Sequence, residues 1–81
     1  MMEDVRTVLG DTLRLGARTN AMSAETALLG ALPELDSMAV VNLIVALEEH
    51  FGIVVADDEI EASTFATLGS LSAFVEQKTR Q

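Results

Sequence analysis

The sequence predicts an all-α fold, a small bundle of three to four helices with a long loop between the first and second. Three observations lead there. Apolar residues recur at helical spacing in three separate stretches. Glycines and charged residues suited to helix ends flank those stretches. The chain has 81 residues, enough for one domain, residues 1–81, with a small core. Apolar residues make up 49% of it and aromatic residues 4%, with no Trp or Tyr. The core must therefore be built from Leu, Val, Ile, Met and Ala.

The first helix is expected from about Glu3 to Leu15. Val5, Val8, Leu9, Thr12 and Leu13 form its inward stripe, with Arg6, Asp11 and Arg14 off it. Glu3 and Asp4 suit the positive end of the helix dipole, and Arg14 and Arg18 suit its far end. Gly16 reads as the stop, and Gly10 weakens the helix by about 1 kcal/mol. A connection from Gly16 to Leu35 follows, containing Asn20, Ser23, Gly30 and the only proline, Pro33. Leu28, Leu29, Leu32 and Leu35 are expected to pin it to the core, with Ser23 capping a short turn near Ala24–Leu29.

The second helix is expected from Asp36 to Phe51. Its apolar run, Met38 to Leu47, has one polar member, Asn42, and enough β-branched residues to suggest a strand over Val40–Val45. Length favours a helix: sixteen residues begin at a possible cap, Asp36-Ser37, and end at Gly52, with Ile53 free to pack back. A short helical turn is expected over Ala56–Glu61, its acids at its N-terminus. The last helix runs from about Thr67 to Lys78, with Leu68, Leu71, Phe74 and Val75 as its stripe and Phe65 just before it.

Thirteen acidic and five basic side chains give a net charge of −8. Such a surface repels phosphate backbones and anionic lipid, which argues against nucleic acid and favours a basic protein partner. No apolar run approaches the roughly 20 residues that span a bilayer, so no membrane insertion is expected. Nor does the start, Met1 to Arg6, carry the basic-then-apolar pattern of a secretory signal. A cytoplasmic monomer is the expectation. The absence of cysteine excludes disulfides, thiolate metal sites and a cysteine nucleophile.

Catalytic arrangements fail on geometry. Asp36, Ser37 and His50 invite a hydrolytic triad, but thirteen helical residues separate Ser37 from His50 by roughly 20 Å. His50 is the only histidine and cannot hold a metal cluster alone. Asp57, Asp58, Glu59 and Glu61 lack the spacing and central glycine of a calcium loop, and no phosphate-cradling glycine loop is present. No metal site and no catalytic residue are expected, and the chain is not read as an enzyme.

The second helix carries more apolar surface than a small bundle needs. Val40, Leu43, Ile44, Leu47 and Phe51 serve the core, while Met38, Val41 and Val45 form a second line on another side. Either the long loop covers that line or it meets a partner. Glu48 and Glu49 sit at the negative end of the helix, where each costs roughly 0.3–1 kcal/mol when exposed. Acids beside an apolar line make a docking face for a basic partner. Ser37, at the helix start, is either a simple N-cap or a hydroxyl poised among free backbone N–H groups, where a phosphate would be well placed.

Glu34-Leu35-Asp36-Ser37-Met38, then Val41, Leu43, Ala46-Leu47-Glu48-Glu49 and Phe51-Gly52-Ile53, resemble the acyl carrier protein family. Asp57-Asp58-Glu59-Ile60 and Leu68-Gly69-Ser70-Leu71 with Phe74-Val75 continue the likeness over nearly the whole chain. The resemblance implies a carrier whose cofactor, 4′-phosphopantetheine from coenzyme A, is attached to Ser37 by a phosphopantetheinyl transferase. It implies acyl or aminoacyl cargo held as a thioester and delivered to loading and transferring enzymes with basic docking surfaces. Asp36, Met38, Val41, Val45, Glu48 and Glu49 would face partners. Leu43, Ile44 and Leu47, with Phe51 and Phe74, would line an acyl chain, a role that ordinary core packing explains equally well. Departures are the non-acidic Ala39 and Asn42 early in the helix and a longer approach, Leu29 to Leu35. They leave fatty-acid, polyketide and other specialised pathways open. The alternative is an unmodified helical adaptor docking through the apolar face of its second helix.

Overall fold

The computed structural model describes residues 1–80. Three α-helices carry the fold: α1, Met2–Leu13; α2, Ser37–Phe51; and α3, Leu68–Thr79. Helix α1 packs against both of the others. Two 3₁₀ turns, Gly16–Ala21 and Asp57–Glu59, lie in the connections. Among the described residues β pairing is one isolated bridge, Ala27 with Thr67.

The core is aliphatic, as the composition requires. Val5, Leu9 and Leu13 of α1 meet Leu43 and Leu47 of α2 and Leu68, Leu71 and Val75 of α3, all buried. The connections contribute Leu15, Met22, Leu28, Leu35, Ile53 and Phe65. Helices α2 and α3 each start on a side-chain cap, while α1 starts at Met1 without one. Thr67 Oγ1 accepts the Ser70 N–H at 3.0 Å and Ser70 Oγ accepts the Thr67 N–H at 3.1 Å, a reciprocal cap on α3.

Helix α1 ends earlier than its spacing predicts. Arg14, not Gly16, takes the left-handed closing position (φ 57°). The Leu15 N–H returns to Gly10 O at 2.9 Å, and this turn buries Leu15. Gly16 (φ +59°) instead opens a 3₁₀ turn in a stretch that sequence periodicity leaves without structure. Leu28 and Leu35 pin the connection and Leu32 is half-buried, but Leu29 is 39% exposed, contrary to expectation. The backbone explains this difference. Leu28 and Leu29 donate to Ala66 O and Phe65 O at 2.9 and 3.0 Å, and Leu29 then opens the surface turn in which the Ala31 and Leu32 N–H groups return to Leu28 O at 3.1 and 2.9 Å. Ser23 does not cap with its hydroxyl, which donates to Glu25 at 3.1 Å; the Thr26 hydroxyl accepts the Ser23 N–H at 2.8 Å.

Two ion pairs fix the connections. Arg18 holds Glu34 in a two-pronged contact, joining the first 3₁₀ turn to the segment before α2. Lys78 Nζ reaches both oxygens of Glu59, at 2.8 and 3.0 Å, joining the second 3₁₀ turn to α3. The Arg18 guanidinium holds the Glu34 carboxyl below its ordinary value. The Lys78 ammonium, helped by the Ala56 N–H, does the same for Glu59. A carboxyl lowered on folding stabilises the fold above its ordinary value of 4.5 and loses that contribution as pH falls through the folded-state value. In thermal melts the gap between wild type and Glu59→Gln is therefore expected at pH 7 and should be smaller at an acid pH well below 4.5. A gap of equal size at both values would show that the pair is not ionic.

Candidate functional site

The start of α2 is built by Asp36. Its backbone is extended (φ −97°, ψ −175°) and its Oδ1 accepts the Ala39 N–H at 2.8 Å. The first helical hydrogen bond then runs from Val40 N–H to Asp36 O at 2.9 Å. With Asp36 as the cap, Ser37 becomes the first residue of the helix and is released from capping. Ser37 is exposed, and its hydroxyl makes no hydrogen bond to any described residue. The backbone N–H groups of Ser37 and Met38 are likewise without a partner within the described chain. Just upstream, buried Leu35 and the Arg18–Glu34 pair hold the approach in place.

This arrangement fits a phosphodiester on Ser37. The oxygen is reachable, and no capping bond would be lost on modification. The helix N-terminus favours the negative charge that attachment brings.

Along α2 the two apolar lines separate as their spacing predicts. Leu43, Ile44 and Leu47 are buried, and Val40 and Phe51 are half-buried. Met38, Val41 and Val45 are 69%, 55% and 46% exposed, so the long loop does not cover them. Of the five residues suggested as acyl-chain lining, Leu43, Ile44 and Leu47 belong to the core cluster, with Phe51 and Phe74 packed at its margin. Ile44 alone among them also borders a groove of about 220 Å³. The groove's other walls are Val41, Val45, Glu48, Val55, Asp57 and Ile60. Val55 and Ile60 were not singled out by the sequence. Their signal would have been the return of the segment after Gly52 onto α2, which buried Ile53 begins.

Glu48 and Glu49, alike in sequence, differ in structure. Glu48 is half-buried, and its Oε2 accepts the Val55 N–H at 2.8 Å. Glu49 is exposed and makes no ion pair among the described residues. The awkward acid at position 48 thus ties the returning segment to α2. Glu48→Ala is expected to cost about 1 kcal/mol by leaving that N–H unpaired. Glu49→Ala should stay within about 0.5 kcal/mol of wild type. Urea unfolding of the two variants checks this, and equal midpoints would remove the structural role from Glu48.

Helix α2 closes on Gly52 at φ 66°, its N–H reaching Glu48 O. His50 is exposed, its ring edge-on to Phe51 with centroids 4.7 Å apart. Among the described residues there is no group of three metal-ligating side chains. None of the described helices is long and apolar enough to cross a membrane.

Residues 3–75 match the family described as the phosphopantetheine attachment site. The acyl carrier protein of Helicobacter acinonychis (strain Sheeba) is 35% identical over 77 residues, covering 94% of this chain and 91% of its own length. The acyl carrier protein of Helicobacter pylori (strain G27) is 34% identical over the same coverage. In three dimensions the chain is similar to a holo acyl carrier protein from Nitrosomonas europaea, solved in solution by NMR. That likeness has a TM-score of 0.92 and 59% identity over 99% of this chain and 96% of the other. Helical architecture, an available serine at a helix start and these likenesses agree: the chain belongs to the acyl carrier proteins of the phosphopantetheine-attachment family, which bind 4′-phosphopantetheine covalently and are carriers without catalytic activity of their own.

Proposed function

We propose that Ser37 Oγ is the attachment atom, and that the chain carries acyl or aminoacyl intermediates of a fatty-acid, polyketide or other specialised biosynthetic pathway. The observation that supports this most is the division of labour at the start of α2: Asp36 caps, and Ser37 presents a free, exposed hydroxyl. A phosphopantetheinyl transferase would take the 4′-phosphopantetheine unit from coenzyme A and join it to this oxygen as a phosphodiester. The group, once bound, supplies a terminal thiol that holds cargo as a thioester, which suits a chain with no cysteine of its own.

The chain's own residues orient and present. Asp36 fixes the turn that aims Ser37 outward. Met38, Val41 and Val45, with Asp36, Glu48 and Glu49 around them, form the face offered to the transferase and to loading and transferring enzymes. A net charge of −8 favours partners whose docking surfaces are basic. The apolar end of a cargo would shelter where Ile44 joins the groove to the core residues Leu43 and Leu47, with Phe51 and Phe74 at the margin. The carrier is taken to act as a cytoplasmic monomer.

Incubating the purified apo chain with coenzyme A and a broad-specificity transferase tests the reading by intact mass. One phosphopantetheine per chain is expected. An unchanged mass would favour the adaptor alternative, for which the hydroxyl is irrelevant.

A further inference from the structure

The turn Asp57–Glu59 is one wall of the groove beside α2, with Val55, Asp57 and Ile60 facing Val41, Ile44 and Val45. None of its three residues is buried. Its own backbone contributes two bonds, Glu59 N–H to Ala56 O at 3.0 Å and Ile60 N–H to Asp57 O at 3.2 Å. Side chains therefore fix its position. Glu59 is the hub: Oε1 accepts the Ala56 N–H at 3.0 Å, and both oxygens accept from Lys78 Nζ. Lys78 stands in the last turn of α3, where the helix dipole favours a cation. Its side chain is 12% exposed, the most shielded member of any ion pair among the described residues. Helix α3 is anchored in the core by Leu68, Leu71 and Val75. A lightly held wall is thus fastened to a firmly held post through one pair of side chains.

We propose that the Lys78–Glu59 pair is a latch on this wall. Engaged, it sets the groove at its observed width. Released, it lets the segment from Ala56 to Ile60 move away from α2 and widens the groove while the three helices stay folded. Glu48, bonded to the Val55 N–H, keeps the near end attached, so the motion is a swing about that point. The lowered Glu59 carboxyl is consistent with a pair that prefers to be closed. The proposal stands on the groove and its ties alone and does not depend on modification of Ser37.

The test compares the unmodified wild type with Lys78→Gln and Lys78→Arg by NMR. In Lys78→Gln the amides of Ala56, Glu59 and Ile60 are expected to exchange about three- to tenfold faster, with those of Leu9 and Leu71 unchanged. Lys78→Arg keeps the charge and should stay close to wild type. Dissolved xenon, a neutral apolar probe, should shift the methyl signals of Ile44, Val45, Val55 and Ile60 more in Lys78→Gln than in wild type. Unchanged exchange at the three amides, acceleration shared by Leu9 and Leu71, equal xenon shifts, or a Lys78→Arg chain that exchanges as fast as Lys78→Gln would each overturn the latch. Because no step uses the Ser37 hydroxyl, such a failure would leave the carrier reading untouched.

Discussion

Ser37→Ala is expected to accept no phosphopantetheine at all while melting as the wild type does. The two halves of that expectation have separate origins. Modification needs the oxygen that the substitution removes, and no neighbouring hydroxyl occupies the same position on α2. Stability should be indifferent because Ser37 is exposed and its hydroxyl bonds to no described residue, while the cap belongs to Asp36. Exposed substitutions away from such features usually stay within about 0.5 kcal/mol, and alanine at the first helical turn is a good helix former. Intact mass after incubation with coenzyme A and transferase, paired with a thermal melt, checks both. A marked drop in melting temperature would show that Ser37 is a structural cap after all.

The largest effect on stability is expected at Leu43, a fully buried residue where α2 meets the core. Leu43→Ala should cost about 2–5 kcal/mol, because the transfer energy of the lost atoms is joined by that of the cavity left behind. A domain of this size has little more than that in reserve, since net stabilities run from about 5 kcal/mol upward. The variant should therefore be partly unfolded at 37 °C, and attachment at Ser37 would fail with it because the helix start would no longer be held. Val41→Ala, on the same helix but 55% exposed, should leave the fold intact. Denaturant unfolding of the pair separates the two faces of α2, and equal costs would mean that the faces are not divided as described.

The three long helices were legible because each has a stripe deep enough to drive its own burial. Leu43, Ile44 and Leu47 have the spacing of a helical stripe, but it was the length of the run, closed at the left-handed Gly52, that set α2 apart from a strand. The exposed line of Met38, Val41 and Val45 was equally visible, though whether the loop covered it was not. That depended on the path of the long connection, which is set by backbone bonds such as those of Leu28 and Leu29 to Ala66 O and Phe65 O. The 3₁₀ turn at Gly16–Ala21 buries none of its residues, so it leaves no periodic trace in the sequence. The distinction between Glu48 and Glu49 was hidden for a related reason. A carboxylate that accepts a backbone N–H seven residues away looks the same in sequence as one facing water. The family resemblance, carried by motifs spread over nearly the whole chain, supplied Ser37, and geometry then assigned the capping to its neighbour.

Fragmentation mass spectrometry of the peptide containing Ser37, from chain isolated out of its own cells, addresses the central claim most directly. The account predicts a phosphopantetheine linked to that one oxygen. The same group found on any other hydroxyl of the chain, with the Ser37 peptide bare, would contradict it.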